Sequence, residues 1–330
     1  MSMDLHPVLG RNLSMELVRV TEAAALMAAR WMGRGMKEAS DQAAVDAMRD
    51  VLNTIAMEGL VVIGEGEKDE APMLYDGEIV GSASEPKVDI AVDPIYGTRL
   101  LAEGMPNSVC VIAIAERGSM YQWQHIAYME KIAVGPEAAG VIDLNLSVAE
   151  NLTRIAEKKG VQVSDLTVAI LDRPRHEQLK SEVRAAGARI KLIMDGDVAA
   201  ALLAALPEHG VDVLMGIGGA PEAVIAACAL KCMGGDIQTR LWARNDEERE
   251  IARANDIDLT KVFQLQDLVG GEDVFFAATG ITDGELLTGV KYAPEGARTH
   301  SLVMRAASGT VREVHSAHKP KKLEALDHLS

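Results

Sequence analysis

The chain has 330 residues, of which 48% are hydrophobic and 25% are charged, and its net charge at pH 7 is −16. So acidic a chain lacks the clustered Lys and Arg that bind nucleic acid or an anionic membrane surface, and we expect neither partner. No apolar stretch is long enough to span a bilayer, and the first residues lack the apolar core of a signal peptide, which predicts a cytoplasmic protein. The three cysteines, Cys110, Cys228 and Cys232, are too few for a disulfide framework.

The first half of the chain predicts two helices and then a series of strands. Residues 14–32 carry apolar side chains at helical spacing. Asp41 is a suitable N-cap for a second helix that runs to about Met57. Buried strands are predicted over residues 60–64, 88–92, 108–115 and 131–135.

Strands alternate with helices in the second half. Strands are predicted over residues 167–171, 189–193, 211–216 and 274–279, and helices begin at Pro174, Asp197 and Pro221. This alternation predicts a layered α/β fold, in which ligands bind beyond the carboxyl ends of the strands. A weakly marked boundary near residues 150–165 suggests two domains, 1–160 and 161–330.

Two short segments after first-half strands carry acids and glycines. Residues 64–72 contain Glu65, Glu67, Asp69 and Glu70, and such a run is either a solvated loop or a site for a hard cation. The preceding strand and the glycines favour the cation site. In residues 92–100, Asp93 and Pro94 are predicted to end a strand, and Gly97 and Thr98 to open a helix whose amides bind phosphate. An ordinary capped turn is the alternative.

Three further segments follow second-half strands. In residues 216–222, Glu222 lies in a first helical turn, where a carboxylate taken alone complements the helix dipole. In residues 172–176, Arg173 and Arg175 offer guanidinium groups for a phosphate, or for surface ion pairs. His176 alone is interpreted as structural. Residues 195–199 contain Asp195 and Asp197, which also fit a helix cap.

The segment LIMDGDV, residues 192–198, allows a different enzyme class. A strand followed by Asp-x-Asp is the arrangement of phosphatases that form an aspartyl phosphate, with Asp195 as the nucleophile and Asp197 as the acid. The motif is short, and no later motif of that class follows it in order.

Taken together, these segments resemble class II fructose-1,6-bisphosphatase, a bacterial branch of the lithium-sensitive sugar and inositol phosphatase superfamily. The resemblance runs from about Met15 to about Val314. It is carried by RVTEAAA, the GRG of GRGMK, VVIGEGEKDEAPMLY, VDIAVDPI, YMEKIAVGP, LDRPRH, DGDVAAA, GIGGAPE and ATGITDG.

The resemblance implies a layered αβαβα sugar-phosphatase fold and hydrolysis of the 1-phosphate of fructose 1,6-bisphosphate, in gluconeogenesis. It also implies Mg2+ or Mn2+ and a homo-oligomer, a dimer or tetramer, with metal bound in residues 1–160 and sugar phosphate in residues 161–330. Its motifs imply metal ligands at Asp41, Glu65, Asp93 and Glu222, and catalytic roles for Glu65, Asp93 and Thr98. The implied substrate contacts are Tyr96, Gly97, Thr98, Tyr128, Arg173, Pro174, Arg175, Asp195, Gly196, Asp197 and Gly219.

The sequence departs from the family pattern at two positions. Met36 replaces an Asp in the GRG segment, and Tyr96 replaces the second acid of the DPI segment, which is a metal ligand in the family. A tyrosine, whose ordinary pKa is about 10, brings no charge to a metal at pH 7. One alternative is therefore a sugar-phosphate-binding protein with impaired turnover. A second is a phosphatase acting on sedoheptulose 1,7-bisphosphate, because that substrate fits the same contacts.

Overall fold

The computed structural model describes residues 13–66, 73–123 and 125–327. In chain order the helices are α1 (Leu13–Ala29), α2 (Lys37–Leu52), α3 (Thr98–Ala102), α4 (Val148–Lys159), α5 (Glu177–Ala185), α6 (Asp197–Ala204), α7 (Ala220–Met233), α8 (Asp246–Ala254), α9 (Leu265–Leu268) and α10 (Pro320–Asp327). The strands are β1 (Glu58–Ile63), β2 (Ile79–Val80), β3 (Lys87–Tyr96), β4 (Val109–Glu116), β5 (Tyr128–Val134), β6 (Thr167–Leu171), β7 (Arg189–Ile193), β8 (Val213–Gly219), β9 (Asp236–Leu241), β10 (Val262–Gln264), β11 (Phe275–Gly280), β12 (Lys291–Ala293), β13 (Gly296–Arg305) and β14 (Thr310–His318).

The chain divides into two compact units, and the second is inserted into the first. The first unit combines the residues up to Gly118 with those from Gly271 onward, and the second comprises Ser119–Gly270. The insertion arises because β11 pairs antiparallel with β4, which returns the last part of the chain to the first sheet. The boundary predicted at residue 160 falls inside the second unit.

In the first unit, helices pack on a mixed sheet. The strand order is β12-β13-β11-β4-β3-β1-β2, and β14 pairs with β13 as the edge. Helix α1 packs across β11, β13 and β4 and is buried on nearly all sides. Its many alanines allow this close approach, and each fully buried side chain such as Leu17 contributes roughly 1.5–3 kcal/mol.

The second unit has a six-stranded sheet in the order β10-β9-β5-β8-β6-β7. Helices α4 and α5 bury Leu152, Ile155 and Val183 against one face of it. Helices α6 and α7 pack on the other face, where they contact β8 and β9. Helices on both faces explain the nearly continuous apolar strands, and the predicted layered α/β fold is confirmed.

The ends of the second unit lie side by side. Gly270 N donates to Ser119 O at 2.8 Å, and Met120 forms a β-bridge with Val269. The chain therefore enters and leaves this unit at one place.

Several predicted boundaries are wrong. Helix α2 begins at Lys37, so Asp41 lies inside the helix rather than at its cap. Strand β3 continues through Asp93 and Pro94. Strands β13 and β14 were not predicted, because their residues alternate less clearly between apolar and polar.

Within the described ranges, none of the helices combines the length and apolarity that crossing a bilayer requires.

Candidate active site

Glu65 is placed by the tight turn that follows β1. Its backbone N donates to Leu74 O at 2.9 Å, and Gly64 N donates to Asp76 Oδ1 at 2.8 Å. A Cβ at residue 64 would overlap Leu74 O, so this close approach needs glycine. The other acids of the predicted cluster, Glu67, Asp69 and Glu70, lie outside the described residues.

Asp93 lies within β3, near its end. The pairing of β3 with β4 shifts register between Asp93 and Tyr96, and this irregularity accommodates Pro94, which has no N–H to donate. Gly97 then adopts a left-handed conformation with φ of 91°, and α3 begins at Thr98. The prediction that Gly97 and Thr98 open a helix is therefore confirmed, although that helix has only five residues.

Thr98 connects α3 to Asp41 of α2. The Thr98 hydroxyl lies 3.2 Å from Asp41 Oδ1 and 3.1 Å from Ile95 O, so it donates to one of these two acceptors at a time. Asp41 is one turn inside α2, so its side chain extends from the side of the helix and does not cap its end. The hydroxyl oxygen keeps a lone pair for a further partner.

Burial and neighbouring charges shift the pKa values of several groups in this unit. Burial raises the pKa of Glu65 to about 7, and the charge of Asp41 adds to the rise. Burial also raises the pKa of Asp41, although the Thr98 hydrogen bond and Lys37 oppose this. The pKa of the buried Cys110 thiol is raised by burial and then by the charges of Asp93 and Glu65. The fold therefore brings Asp41, Glu65, Asp93 and Thr98 together.

This donor set fits a hard divalent cation. Carboxylate and hydroxyl oxygens are the ligands that Mg2+ and Mn2+ prefer. A carboxyl group with a pKa of about 7 is only half ionised at neutral pH, and a bound cation would favour its charged form. The chemistry of the residues is thus consistent with a metal site at Asp41, Glu65 and Asp93.

In the second unit, a buried lysine organises the predicted acids. Lys131 of β5 is 3% exposed, and its Nζ lies 2.6 Å from Asp197 Oδ2 and 3.2 Å from Gly219 O. A Cβ at Gly218 would overlap Asp197 Oδ2, so β8 needs a glycine where this ion pair crosses it. Sequence reasoning missed Lys131. The signal was a charged residue in the otherwise apolar strand YMEKIAV.

Glu222 stands beside this ion pair in the first turn of α7. Its Oε2 is buried and has no hydrogen-bond partner among the described residues. Burial raises the pKa of Glu222, and the charge of Asp197 adds to the rise while Lys131 opposes it. A Cβ at Gly219 would overlap this oxygen. A buried acceptor left without a partner is costly, which fits a group that binds a ligand.

The predicted arginines lie next to one another at the ends of β6 and β8. Arg173 forms an ion pair with Asp195. Arg175 donates from Nε and Nη2 to Ile217 O at 3.1 and 2.8 Å. Its guanidinium also lies over the Tyr128 ring, 5.3 Å from the centroid. Pro174 begins a short 3-10 turn after Arg173, and Gly196, with φ of 100°, turns the chain from Asp195 into α6.

Tyr128 lies between the arginines and the segment that carries Glu222. It pairs with Gly219 across β5 and β8, and Arg244 lies over the same ring at 5.2 Å from the centroid. Arg244 was not predicted, because the segment LWARND carries no motif. The predicted residues therefore form two groups, one in each unit.

The two departures from the family pattern differ in their surroundings. Tyr96 is 6% exposed, and its backbone O accepts from Ser108 Oγ at 3.3 Å. Met36 is 51% exposed and precedes α2 without any side-chain cap. Tyr96 is thus an integral part of β3, whereas Met36 lies on the surface.

A family model matches residues 11–318 of the chain. The family is described as bacterial fructose-1,6-bisphosphatase, glpX-encoded. The chain belongs to this family. It is 46% identical over 321 residues to fructose-1,6-bisphosphatase 1 class 2 of Escherichia coli strain K12. The aligned region covers 93% of this chain and 95% of the relative. The same values hold for the class 2 fructose-1,6-bisphosphatases of Escherichia coli O6:H1 strain CFT073 and Shigella flexneri.

Membership of the fructose-1,6-bisphosphatase family implies dependence on a divalent metal ion, which agrees with the oxygen ligands of the first unit. It does not favour the aspartyl-phosphate alternative. In the structure Asp195 is paired with Arg173, and Asp197 with Lys131. Nor does it favour the alternatives of a non-catalytic binder or of a second sugar bisphosphate.

Proposed function

We propose that this chain hydrolyses the 1-phosphate of fructose 1,6-bisphosphate to give fructose 6-phosphate and phosphate, in gluconeogenesis. The proposal includes Mg2+ or Mn2+ as the metal, a homo-oligomer, a cytoplasmic location and membership of the lithium-sensitive sugar and inositol phosphatase superfamily. It rests on the family match over residues 11–318.

The observation that carries the chemistry is that Asp41, Glu65, Asp93 and Thr98 lie close enough to interact. We assign Asp41, Glu65 and Asp93 as metal ligands of the first unit, and Glu222 as a metal ligand of the second. A divalent ion held by such carboxylates lowers the pKa of a bound water and offsets charge on the phosphoryl group. Glu65 and Asp93 are also catalytic residues in this proposal, because their negative charges hold the metal ion that stabilises the transition state.

Thr98 positions the water or the phosphate. Its hydroxyl proton is donated to either Asp41 Oδ1 or Ile95 O, and in both cases the hydroxyl oxygen keeps a lone pair that can accept from the water. The turn at Gly97 presents backbone N–H groups at the start of α3, which donate to phosphoryl oxygens. Tyr96 contacts the substrate from the preceding position.

The second unit supplies the substrate contacts. Arg173 and Arg175 carry planar guanidinium groups that suit the distant phosphate, and the Arg173–Pro174–Arg175 turn holds them next to each other. Tyr128 packs against Arg175. Asp195 and Asp197, on either side of Gly196, accept hydrogen bonds from sugar hydroxyls. Gly219 lets the backbone lie close to the substrate. Lys131 holds the Asp197 carboxylate in place.

The test is phosphate release from fructose 1,6-bisphosphate with Mg2+ and with Mn2+. We expect the wild type to turn over, and Asp93→Asn or Glu65→Gln to slow release by about 10²–10³-fold, because each removes charge stabilisation of the transition state. Glu38→Gln is the matched control. Glu38 is exposed on α2, the helix of Asp41, so this variant keeps the wild-type rate.

A parallel variant, Tyr96→Asp, restores the family's acid. We expect a higher rate at limiting metal concentration, because a carboxylate holds a hard cation better than a neutral phenol. Full activity of Asp93→Asn would contradict the proposed chemistry. Turnover by Tyr96→Asp alone would show that the site is correctly assigned and that Tyr96 blocks it.

A further inference from the structure

Two histidines and a glutamate form a cluster on the last two strands of the first unit. His300 of β13 and His315 and Glu313 of β14 each place one ligand atom within 4.8 Å of the others. The two imidazole rings are stacked, with centroids 4.1 Å apart and planes 16° from parallel. None of these residues belongs to the proposed catalytic groups.

The register of the two strands explains the cluster. His300 is paired directly with His315, and Leu302 with Glu313. Side chains alternate along a strand, so His315 and Glu313, two residues apart, share one face with His300. Ser301, the neighbour of His300, contacts the Thr279 hydroxyl at 2.7 Å, which in turn bonds Thr21 of α1. The cluster therefore lies on the face of the sheet opposite α1.

The two nitrogens of His300 have different surroundings. The Thr288 backbone N donates to Nδ1 at 3.1 Å, and the Thr288 hydroxyl lies 3.0 Å from the same atom. Nε2 is buried and has no hydrogen-bond partner within the part of the chain that the structure describes, since Glu313 Oε2 is 3.7 Å away.

We propose that His300, Glu313 and His315 hold a divalent transition-metal ion of the Zn2+ class. Two imidazoles and one carboxylate are ligands that Zn2+ favours over Mg2+, and a water would fill the fourth position. Zn–N bonds of about 2.0–2.1 Å need the two nitrogens about 3.3 Å apart. Glu313 and His315 are exposed on the edge strand, and rotation of their side chains brings them to this distance.

Thr288 supports the metal-bound form of His300. Without a metal, Nδ1 accepts from the Thr288 backbone N, so the ring proton lies on Nε2. A metal on Nε2 needs the lone pair of that nitrogen and therefore moves the ring proton to Nδ1. Nδ1 then gives up the bond from the backbone N and donates to the Thr288 hydroxyl oxygen, 3.0 Å away. A hydrogen bond of this kind fixes the ring orientation of metal-binding histidines. The bound ion would thereby fasten β14 to β13 and to the segment that carries Thr288.

The experiment is a Co2+ titration in excess Mg2+, followed by visible absorption and by calorimetry. The Mg2+ saturates sites made only of oxygen ligands. We expect the wild type to bind one Co2+ more than His315→Ala or Glu313→Gln, with the d–d absorption of a nitrogen-ligated ion. Thr288→Val, which removes the hydroxyl and keeps the backbone N–H, should weaken this binding by about 10–100-fold.

His209→Ala is the matched control. His209 also has a glutamate nearby, with Nε2 3.9 Å from Glu208 Oε1, but it lacks a second histidine, so this variant should bind Co2+ as the wild type does. Repetition with Zn2+, read as a rise in melting temperature that His315→Ala abolishes, gives a second readout. Equal Co2+ uptake by the wild type, His315→Ala and Glu313→Gln would overturn the proposal. Phosphate release tests the proposed function separately.

Discussion

His176 is held by two backbone groups in the interior of the second unit. Its side chain is 1% exposed overall, Nδ1 lies 2.7 Å from Leu171 O, and Ile217 N donates to Nε2 at 2.7 Å. In this arrangement Nδ1 donates its proton and Nε2 must remain unprotonated to accept. A second proton on Nε2 would face the Ile217 N–H, so the fold favours the neutral ring. The interpretation of His176 as structural agrees with these contacts.

The pKa of His176 is lowered from its ordinary value of 6.5, chiefly by burial. In the pH range between the lowered folded value and 6.5, the unfolded chain therefore binds more protons than the folded one. Stability from this histidine is complete above pH 6.5 and is lost as the pH falls toward the folded value. We expect the melting-temperature difference between wild type and His176→Ala to shrink from pH 7.5 to pH 5.5. A constant difference would contradict this.

Lys131 is the second residue whose effect can be measured directly. Lys131→Met leaves Asp197 buried without its ion pair, and we expect a loss of about 3–5 kcal/mol in the free energy of unfolding, read from urea titrations. Lys131→Met with Asp197→Asn should recover part of this loss. Lys159→Met is the control, since its ion pair with Asp212 is more exposed and should cost about 1 kcal/mol or less. Equal costs for the two lysines would contradict the role of Lys131.

At the scale of elements, the sequence predicts those with strong local signals. The strand that precedes Glu65, the strand that contains Asp93, and the helices that open at Thr98 and Asp197 were predicted because apolar runs end there at glycines and acids. Strand β14 was missed because it is an exposed edge, with polar side chains at most positions. Pro94 was misjudged because local rules place proline outside a strand, whereas a register shift accommodates it in β3.

The candidate site shows the same division. The acids and arginines were found by motif, but Lys131 and Arg244 were not, because their positions are set by pairing between strands distant in sequence. Lys131 lies opposite Gly216 in β8, and Asp197 reaches it from α6. Only the folded sheet brings these three segments together. The site roles assigned to the motif residues remain predictions that the variants above test.

At the scale of the whole molecule, the inserted second unit should fold alone. Its sheet is complete within Ser119–Gly270, and its two ends are joined by the bond from Gly270 N to Ser119 O. We expect a fragment of residues 119–270 to give an α/β circular dichroism spectrum and a cooperative urea transition. A fragment of residues 161–330 is the control. It lacks β5, the strand between β9 and β8, and should not fold cooperatively. The reverse result would support the division at residue 160.

The insertion also determines the order in which the strands of the first sheet can pair during translation. Strand β4 lies in the middle of the first sheet, between β3 and β11. When β4 leaves the exit tunnel its second partner has not been translated, and it must wait until the entire inserted unit has been made. For that interval a strand that is apolar from Val109 to Ala115 has an unpaired edge. Nascent chains halted after Gly270 should therefore be the ones that chaperones bind longest, and release should follow the arrival of β11.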